Sequence, residues 1–374
     1  MKISVLKETH PGENRVALTP AVLASLTKAG FEVFIETGAG DQAGYPDPLY
    51  DAAGGHIVNR EQALACEVVT SVRLFGANEG ETPTFATDQC VVAMMDPLAQ
   101  PKSVQAAAAK GTRLFSLEMI PRITRAQAMD VLSSQASLAG YKAVLLGANA
   151  MNRILPMMTT AAGTIPPAKV MILGAGVAGL QAIATAKRLG AVVTGYDVRP
   201  EVKTQIESLG AKFLELDLKA EEGEGGYAKE QSAEFYARQQ ELLGDAMAEM
   251  DLIITTAAVP GRKAPILITQ PMVQKMKHGA VVVDLAAERG GNVEGTVPGE
   301  TVISGNASIM GPVNIPSTLA FHASAVFAKN VASFVLNMVK EKALNINKED
   351  PIVADTLLTE GGAVVHARVQ ELLK

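Results

Sequence analysis

Residues 169–190 bring a strand, a glycine turn and a helix together: Lys169-Val-Met-Ile-Leu173 runs into Gly174-Ala-Gly176-Val-Ala-Gly179 and then LQAIATAKRLG. A dinucleotide's pyrophosphate requires that order. Gly174 permits the tight turn, Gly176 lets backbone approach the phosphates, and Gly179 allows close helix packing, while the helix N-terminus favours negative charge. Asp197 closes the next apolar run, 18 residues beyond Gly179, where a carboxylate accepts hydrogen bonds from a ribose and repels a 2′-phosphate. The chemistry is binding of NAD(H) in preference to NADP(H). Arg199, two positions on, admits two readings: a phosphate ligand, or a solvated arginine ahead of Pro200.

A second concentration of polar groups lies at Pro121–Ser133, where Arg122, Gln127, Asp130 and Ser133 offer a guanidinium, an amide, a carboxylate and a hydroxyl. Such a set can grip the carboxamide and ribose of a nicotinamide; the same spacing also suits a solvated helix face. If the segment is helical from about Thr124, Gln127 and Asp130 share a face. Farther on, DLKAEEGEGGYAKE (217–230) sets Tyr227 between Gly226 and Ala228. It reads as a lid closing over a nucleotide or as an acidic surface loop.

Other chemistries find no support. The five histidines show no metal spacing such as H-E-x-x-H, so no metal is expected. No G-x-S-x-G elbow occurs, and Cys66 and Cys90 have neither C-x-x-C spacing nor a neighbouring base. Two isolated cysteines suit a reducing compartment.

The elements that must position these groups alternate along the chain. Short Val- and Ile-rich runs at Ile3–Leu6, Phe31–Ile35, Val68–Val72, Val91–Met95 and Arg113–Ser116 read as strands, and Thr19-Pro20 opens a helix that Gly30 closes. Residues 123–153 are helix-compatible throughout. A second series follows at Val170–Leu173, Ala191–Tyr196, Leu252–Thr255 and Ala280–Asp284, and a last helix begins near Ser317. The spacing predicts a two-domain α/β fold with mainly parallel sheets. Residues 131–324 form a Rossmann doubly wound domain with its linking helix. Residues 1–130 and 325–374 form a discontinuous second, Rossmann-like α/β domain.

Composition agrees with a globular chain: 374 residues, 48% hydrophobic and 19% charged. The net charge of −6, without a basic block, argues against nucleic acid or an anionic membrane surface as partner. MKISVLKETHPGENR lacks a signal peptide's apolar core, and the richest apolar segment, Phe321–Met338, is interrupted by His322, Lys329 and Asn330. No direct membrane insertion is expected.

With ENRVALTP (13–20), ETGAG (36–40), PRITRAQAMDVLSSQASLAGYKA (121–143), GYAKE (226–230) and PGRKAP (260–265) added to the glycine turn, the chain resembles the NAD(H)-binding component of the proton-translocating nicotinamide nucleotide transhydrogenases along essentially its whole length. The resemblance implies that Arg122, Gln127, Asp130 and Ser133 order the nicotinamide end, and that Ile123, Thr124 and Arg125 bind the cofactor with Arg122. It implies that Gly174, Gly176, Val177, Gly179, Asp197, Val198, Arg199, Gly226, Gln239 and Ala258 line the nucleotide, with Tyr227 closing over it. It further implies a homodimer working with an NADP(H)-binding domain and membrane subunits, held peripherally on the cytoplasmic face of the inner membrane. The architecture is shared with the alanine dehydrogenases, which the chain resembles at its N-terminus and in VVVDLAAERGGN (281–292). Their substrate lysine and histidine fall at Arg73 and Asp96, whereas their carboxylate-binding arginine is kept as Arg15. Arginine is no ordinary proton-transfer base, so the departure argues against oxidative deamination. An alanine-dehydrogenase-like enzyme and an NAD(H)-binding regulatory module stand as alternatives.

Overall fold

The computed structural model describes residues 1–75, 84–216, 233–258 and 261–374. They form two compact units, Met1–Gln135 with Pro316–Lys374, and Ala136–Ile315, where the sequence reading places the divisions at 130 and 324.

In the first unit, β1 (Lys2–Val5), β2 (Glu32–Glu36), β3 (His56–Val58), β4 (Val68–Arg73), β5 (Cys90–Met94) and β6 (Arg113–Ser116) form a parallel sheet in the order β3-β2-β1-β4-β5-β6. The strands Leu357–Glu360 and Ala363–Val364 extend it antiparallel beyond β6. Alternate residues serve opposite faces. Ile3, Val5, Val33 and Ile35 join Phe327, Val331 and Phe334 of the C-terminal helix Ala320–Asn337 in one core, while Val69, Val91 and Leu114 join Val104 and Leu358 in another. A parallel sheet needs both faces covered in this way. Helix α1 (Pro20–Lys28) starts on Pro20 as the sequence predicts, and Gly30 follows its end at φ +98.

The stretch Ile315–Asn337 is long and apolar enough to cross a bilayer. Asn330 is nonetheless absorbed locally, donating to Ala128 O at 2.8 Å and accepting from Ser134 Oγ at 2.7 Å, and Ser324 Oγ accepts from Val16 N at 3.0 Å, while His322 and Lys329 stand on the exposed face. With Phe327, Phe334 and Val335 fully buried, this is a core helix.

One expectation is corrected at residues 123–153. The segment is a 3-10 turn at Thr124–Met129 and a separate helix, α2 (Val131–Ala150), broken at Asp130. Asp130 has extended backbone angles and accepts from Ser133 N at 2.9 Å and Ser133 Oγ at 2.6 Å. An aspartate capping the next helix cannot continue the turn before it.

In the second unit a hairpin, β7 (Met158–Thr160) and β8 (Gly163–Ile165), precedes β9 (Lys169–Leu173), β10 (Val192–Tyr196), β11 (Lys212–Phe213), β12 (Leu252–Thr255), β13 (Ala280–Asp284), β14 (Thr301–Ser304) and β15 (Ala307–Met310). The sheet order is β11-β10-β9-β12-β13-β15-β14, parallel except for β14. Both sheets therefore step outward from their first strand on one side, then return to build the other. The doubly wound switch point lies between β1 and β4 in the first unit and between β9 and β12 in the second, and ligands of such sheets gather outside the carboxyl ends of the strands there.

Candidate nucleotide-binding site

The second switch point is built by backbone proximity that only small residues allow. Gly174, at φ +97, ends β9; its N–H donates to Tyr196 O at 2.8 Å, and a Cβ on it would lie 2.5 Å from Thr256 Oγ1. Helix α3 (Val177–Arg188) sits so close behind the turn that a Cβ on Gly179 would lie 1.8 Å from Gly174 O. Gly176 differs. It occupies the N-cap with no side-chain capping bond, and a Cβ there would meet nothing within 4 Å. A helix N-terminus with open space at its N-cap fits a pyrophosphate.

Asp197 stands at the end of β10 with its carboxylate almost buried. Its Oδ2 accepts from Ala175 N at 2.7 Å and from the Arg199 guanidinium at 2.9 Å, and its Oδ1 accepts from Arg199 N and Nε, both at 2.9 Å. The hydrogen bond to Asp197 holds the Arg199 guanidinium above its ordinary pKa. This corrects the reading of Arg199 as a solvated residue: it folds back to form a local ion pair. Val177 and Ala258 are exposed, and Val198 is half-buried. Gln239 is fully buried on the helix Ala233–Met247 and donates to Tyr196 Oη at 2.8 Å. Burial pushes the Tyr196 phenol up to about 12. Gly226 and Tyr227 lie outside the described residues.

The residues expected at the nicotinamide end belong to the first unit. Arg122, Ile123, Thr124, Arg125 and Gln127 are exposed on or beside the 3-10 turn. Asp130 is half-buried and tied to Ser133 as the cap of α2. Arg125 is committed elsewhere: Nη1 donates to Asn337 Oδ1 and Asp350 Oδ2, each at 3.0 Å, and Nη2 pairs with Asp350 Oδ1. The Arg125 bond holds the Asp350 carboxyl down at about 2. The arginine thus ties the crossing segment to the C-terminal part of its own unit.

Around the first switch point stands a polar network that sequence reading largely missed. Glu13, buried, takes Arg15 on both oxygens at 2.7 Å and Arg73 Nε at 3.2 Å; the remaining Arg15 arm donates to Gln135 Oε1 at 2.9 Å. Burial alone raises the Glu13 carboxyl, but the two guanidinium groups outweigh it and bring the pKa below the ordinary range. Glu8 accepts from Val72 N, Arg73 N and Ser71 Oγ, and burial pushes it up to about 7. Glu118 accepts from Met95 N, Asp96 N and Ser116 Oγ and is likewise raised by burial. Asp96 sits in the left-handed region at φ +46. For Glu8, Asp96 and Glu118 the local signal was no more than a polar residue just past a strand, and for Glu13 there was not even that.

Comparison with known proteins matches the chain in two consecutive parts. The N-terminal domain model of Alanine dehydrogenase/PNT matches residues 4–139, and the C-terminal domain model matches residues 143–367. The first portion of NAD(P) transhydrogenase subunit alpha from Rhodospirillum rubrum, a chain of similar length, is 46% identical, with 98% of each chain covered. A transhydrogenase structure from Sinorhizobium meliloti superposes with a TM-score of 0.88 at 45% identity, covering 98% of this chain and 100% of that one. An L-alanine dehydrogenase structure gives 0.84 at 28% identity, covering 100% and 99%.

Proposed function

The chain belongs to the alanine dehydrogenase/PNT family, on the transhydrogenase alpha-subunit side of it, and from that premise we propose that it is the NAD(H)-binding component of a proton-translocating transhydrogenase. In this reading a hydride passes directly from NADH held here to NADP+ held on a partner domain, yielding NAD+ and NADPH. A proton moves in a membrane subunit as the coupled event. The component works as a homodimer, peripheral to the cytoplasmic face of the inner membrane through its partner subunits.

The observation that carries the reading is what stands where an alanine dehydrogenase handles protons. Arg73 replaces the lysine and is paired with the buried Glu13 at 3.2 Å; Asp96 replaces the histidine. Arg15, the carboxylate binder, is taken on three nitrogens by Glu13 and Gln135. Amine oxidation needs a proton acceptor, whereas transfer between two nicotinamides demands only positioning.

When bound, the nicotinamide supplies the hydride chemistry. The chain holds and orients it: Gly174, Gly176 and the N-terminus of α3 receive the pyrophosphate, and Asp197 with Arg199 and Val198 borders the adenosine ribose. Val177 lines the pyrophosphate turn, and Ala258 stands past the end of β12, on the nicotinamide side. Gln239, buried, braces Tyr196 behind it. Arg122, Gln127, Asp130 and Ser133, flanked by Ile123, Thr124 and Arg125, order the nicotinamide end, and Tyr227 with Gly226 closes over the site. The test pairs two assays on the purified protein: NADH oxidation by pyruvate plus ammonia, and NADH oxidation by an NADP+-loaded partner domain. Activity in the second alone is expected. Activity in the first makes the chain an alanine-dehydrogenase-like enzyme, and silence in both makes it a binding module.

A further inference from the structure

Three strand ends share the edge of the second sheet that carries the glycine turn. Asp197 ends β10, the glycine turn ends β9, and Thr256 follows β12, the order across the sheet being β10-β9-β12. Thr256 lies against the turn, its Oγ1 donating to Gly174 O at 3.1 Å and its N to Leu173 O at 2.8 Å. A dinucleotide with its ribose at Asp197 and its pyrophosphate at Gly174–Gly176 must lay its nicotinamide half over the end of β12. The chain leaving that end is held by a residue far off in sequence. Asn292, fully buried, accepts from Ala257 N at 3.0 Å and donates to Ala257 O at 2.8 Å and to Pro265 O at 2.8 Å. One side-chain amide thus pins both ends of the 257–265 segment.

Asn292 is itself fixed. The buried carboxylate of Asp284 accepts from Asn292 N at 2.8 Å, Val293 N at 3.1 Å, Thr296 Oγ1 at 2.7 Å, Thr255 Oγ1 at 3.0 Å and Ala286 N at 3.0 Å. Gly291, at φ +78, lets this approach occur, since a Cβ there would lie 2.8 Å from Asp284 Oδ2. The carboxylate therefore locks the end of β12 and the 286–296 turn into one body, and Asn292 reaches from that body to the rim of the nucleotide cradle.

We propose that Asn292, anchored by Asp284, is a positioning residue that sets the Ala257–Ala258 rim for the nicotinamide half of the dinucleotide and leaves the adenosine half untouched. The proposal rests on the NAD(H) site described above and adds its division of labour. Asn292→Asp keeps the size and the acceptor for Ala257 N but replaces the donor that served two carbonyl oxygens. Thr296→Val removes one of the five donors to Asp284 and perturbs the anchor more gently.

The experiment titrates NADH and adenosine 5′-monophosphate into the full-length protein and both variants. Expected for Asn292→Asp is NADH binding weakened at least about tenfold, as befits two lost buried hydrogen bonds, with adenosine monophosphate changed less than about threefold. Thr296→Val should repeat the split at smaller amplitude, which covers the case in which Asn292→Asp does not fold. Unchanged NADH binding in both variants overturns the proposal, and so does parallel loss of both ligands in folded protein. Failure of the unaltered protein to bind NADH overturns the underlying site instead.

Discussion

Replacing Asp197 with Asn should change which dinucleotide the protein prefers, and the structure sets the size of the effect. Asp197 and Arg199 form a close, largely buried pair, with Nη2 and Oδ2 2.9 Å apart, so their combined charge is near zero. Substituting Asn leaves the guanidinium uncompensated and raises the local charge by one unit. A 2′-phosphate charge roughly 6 Å away, at an effective dielectric of about 20, gains about 3 kcal/mol from that change, or roughly a hundredfold in affinity. Counter-ions in the medium trim this toward about thirtyfold. Titration of NADH and NADPH followed by nucleotide fluorescence gives the ratio of the two dissociation constants. Unaltered protein should favour NADH, Asp197→Asn should shift the ratio roughly thirty- to a hundredfold toward NADPH, and adding Arg199→Ala should return most of it. An unaltered chain that binds NADPH as tightly as NADH refutes the reasoning, as does a single substitution that moves the ratio less than about threefold.

Gly179→Ala places a methyl 1.8 Å from Gly174 O; the turn and α3 must part, so a loss of about 2–4 kcal/mol in unfolding free energy and of NADH binding is expected, read by denaturant melts and titration. Glu8 has a folded pKa of about 7 against an ordinary 4.5, so its contribution is complete below pH 4.5 and is lost as pH rises through about 7. Unaltered protein should lose stability relative to Glu8→Gln across that window, and parallel melting curves at every pH count against a buried, raised carboxyl. Arg122→Ala or Gln127→Asn should lower hydride transfer in the reconstituted complex at least roughly tenfold with a smaller change in NADH affinity. Lost binding with single-turnover transfer preserved at saturating NADH assigns the segment to general nucleotide grip.

What the sequence made legible was local. The strand, turn and helix around Gly174–Gly179 are contiguous, and the apolar runs at Leu252–Thr255 and Ala280–Asp284 are bounded within the pattern itself, so periodicity and glycine placement suffice to find them. The break at Asp130 was concealed because the same residues suit a helix; only the cap to Ser133 decides against it. Arg199 was misread because its partner is a neighbour that sequence had assigned to another task. Remote pairings left no trace at all: Asn292 meets Ala257 across 35 residues and Arg125 meets Asp350 across 225. Spacing along the chain carries no information about such contacts, since sheet order creates the first and the return of the C-terminal segment the second.

Direct transfer between the two nicotinamides is the central claim, and the fate of a label tests it. NADH carrying deuterium at the transferable position of its nicotinamide ring would be mixed with the full-length protein and an NADP+-loaded partner domain, and the NADPH formed analysed by mass. Direct transfer predicts that the deuterium is recovered in NADPH with none released to water. Release to solvent, or NADH oxidation that proceeds with pyruvate and ammonia and not with the partner, would contradict it.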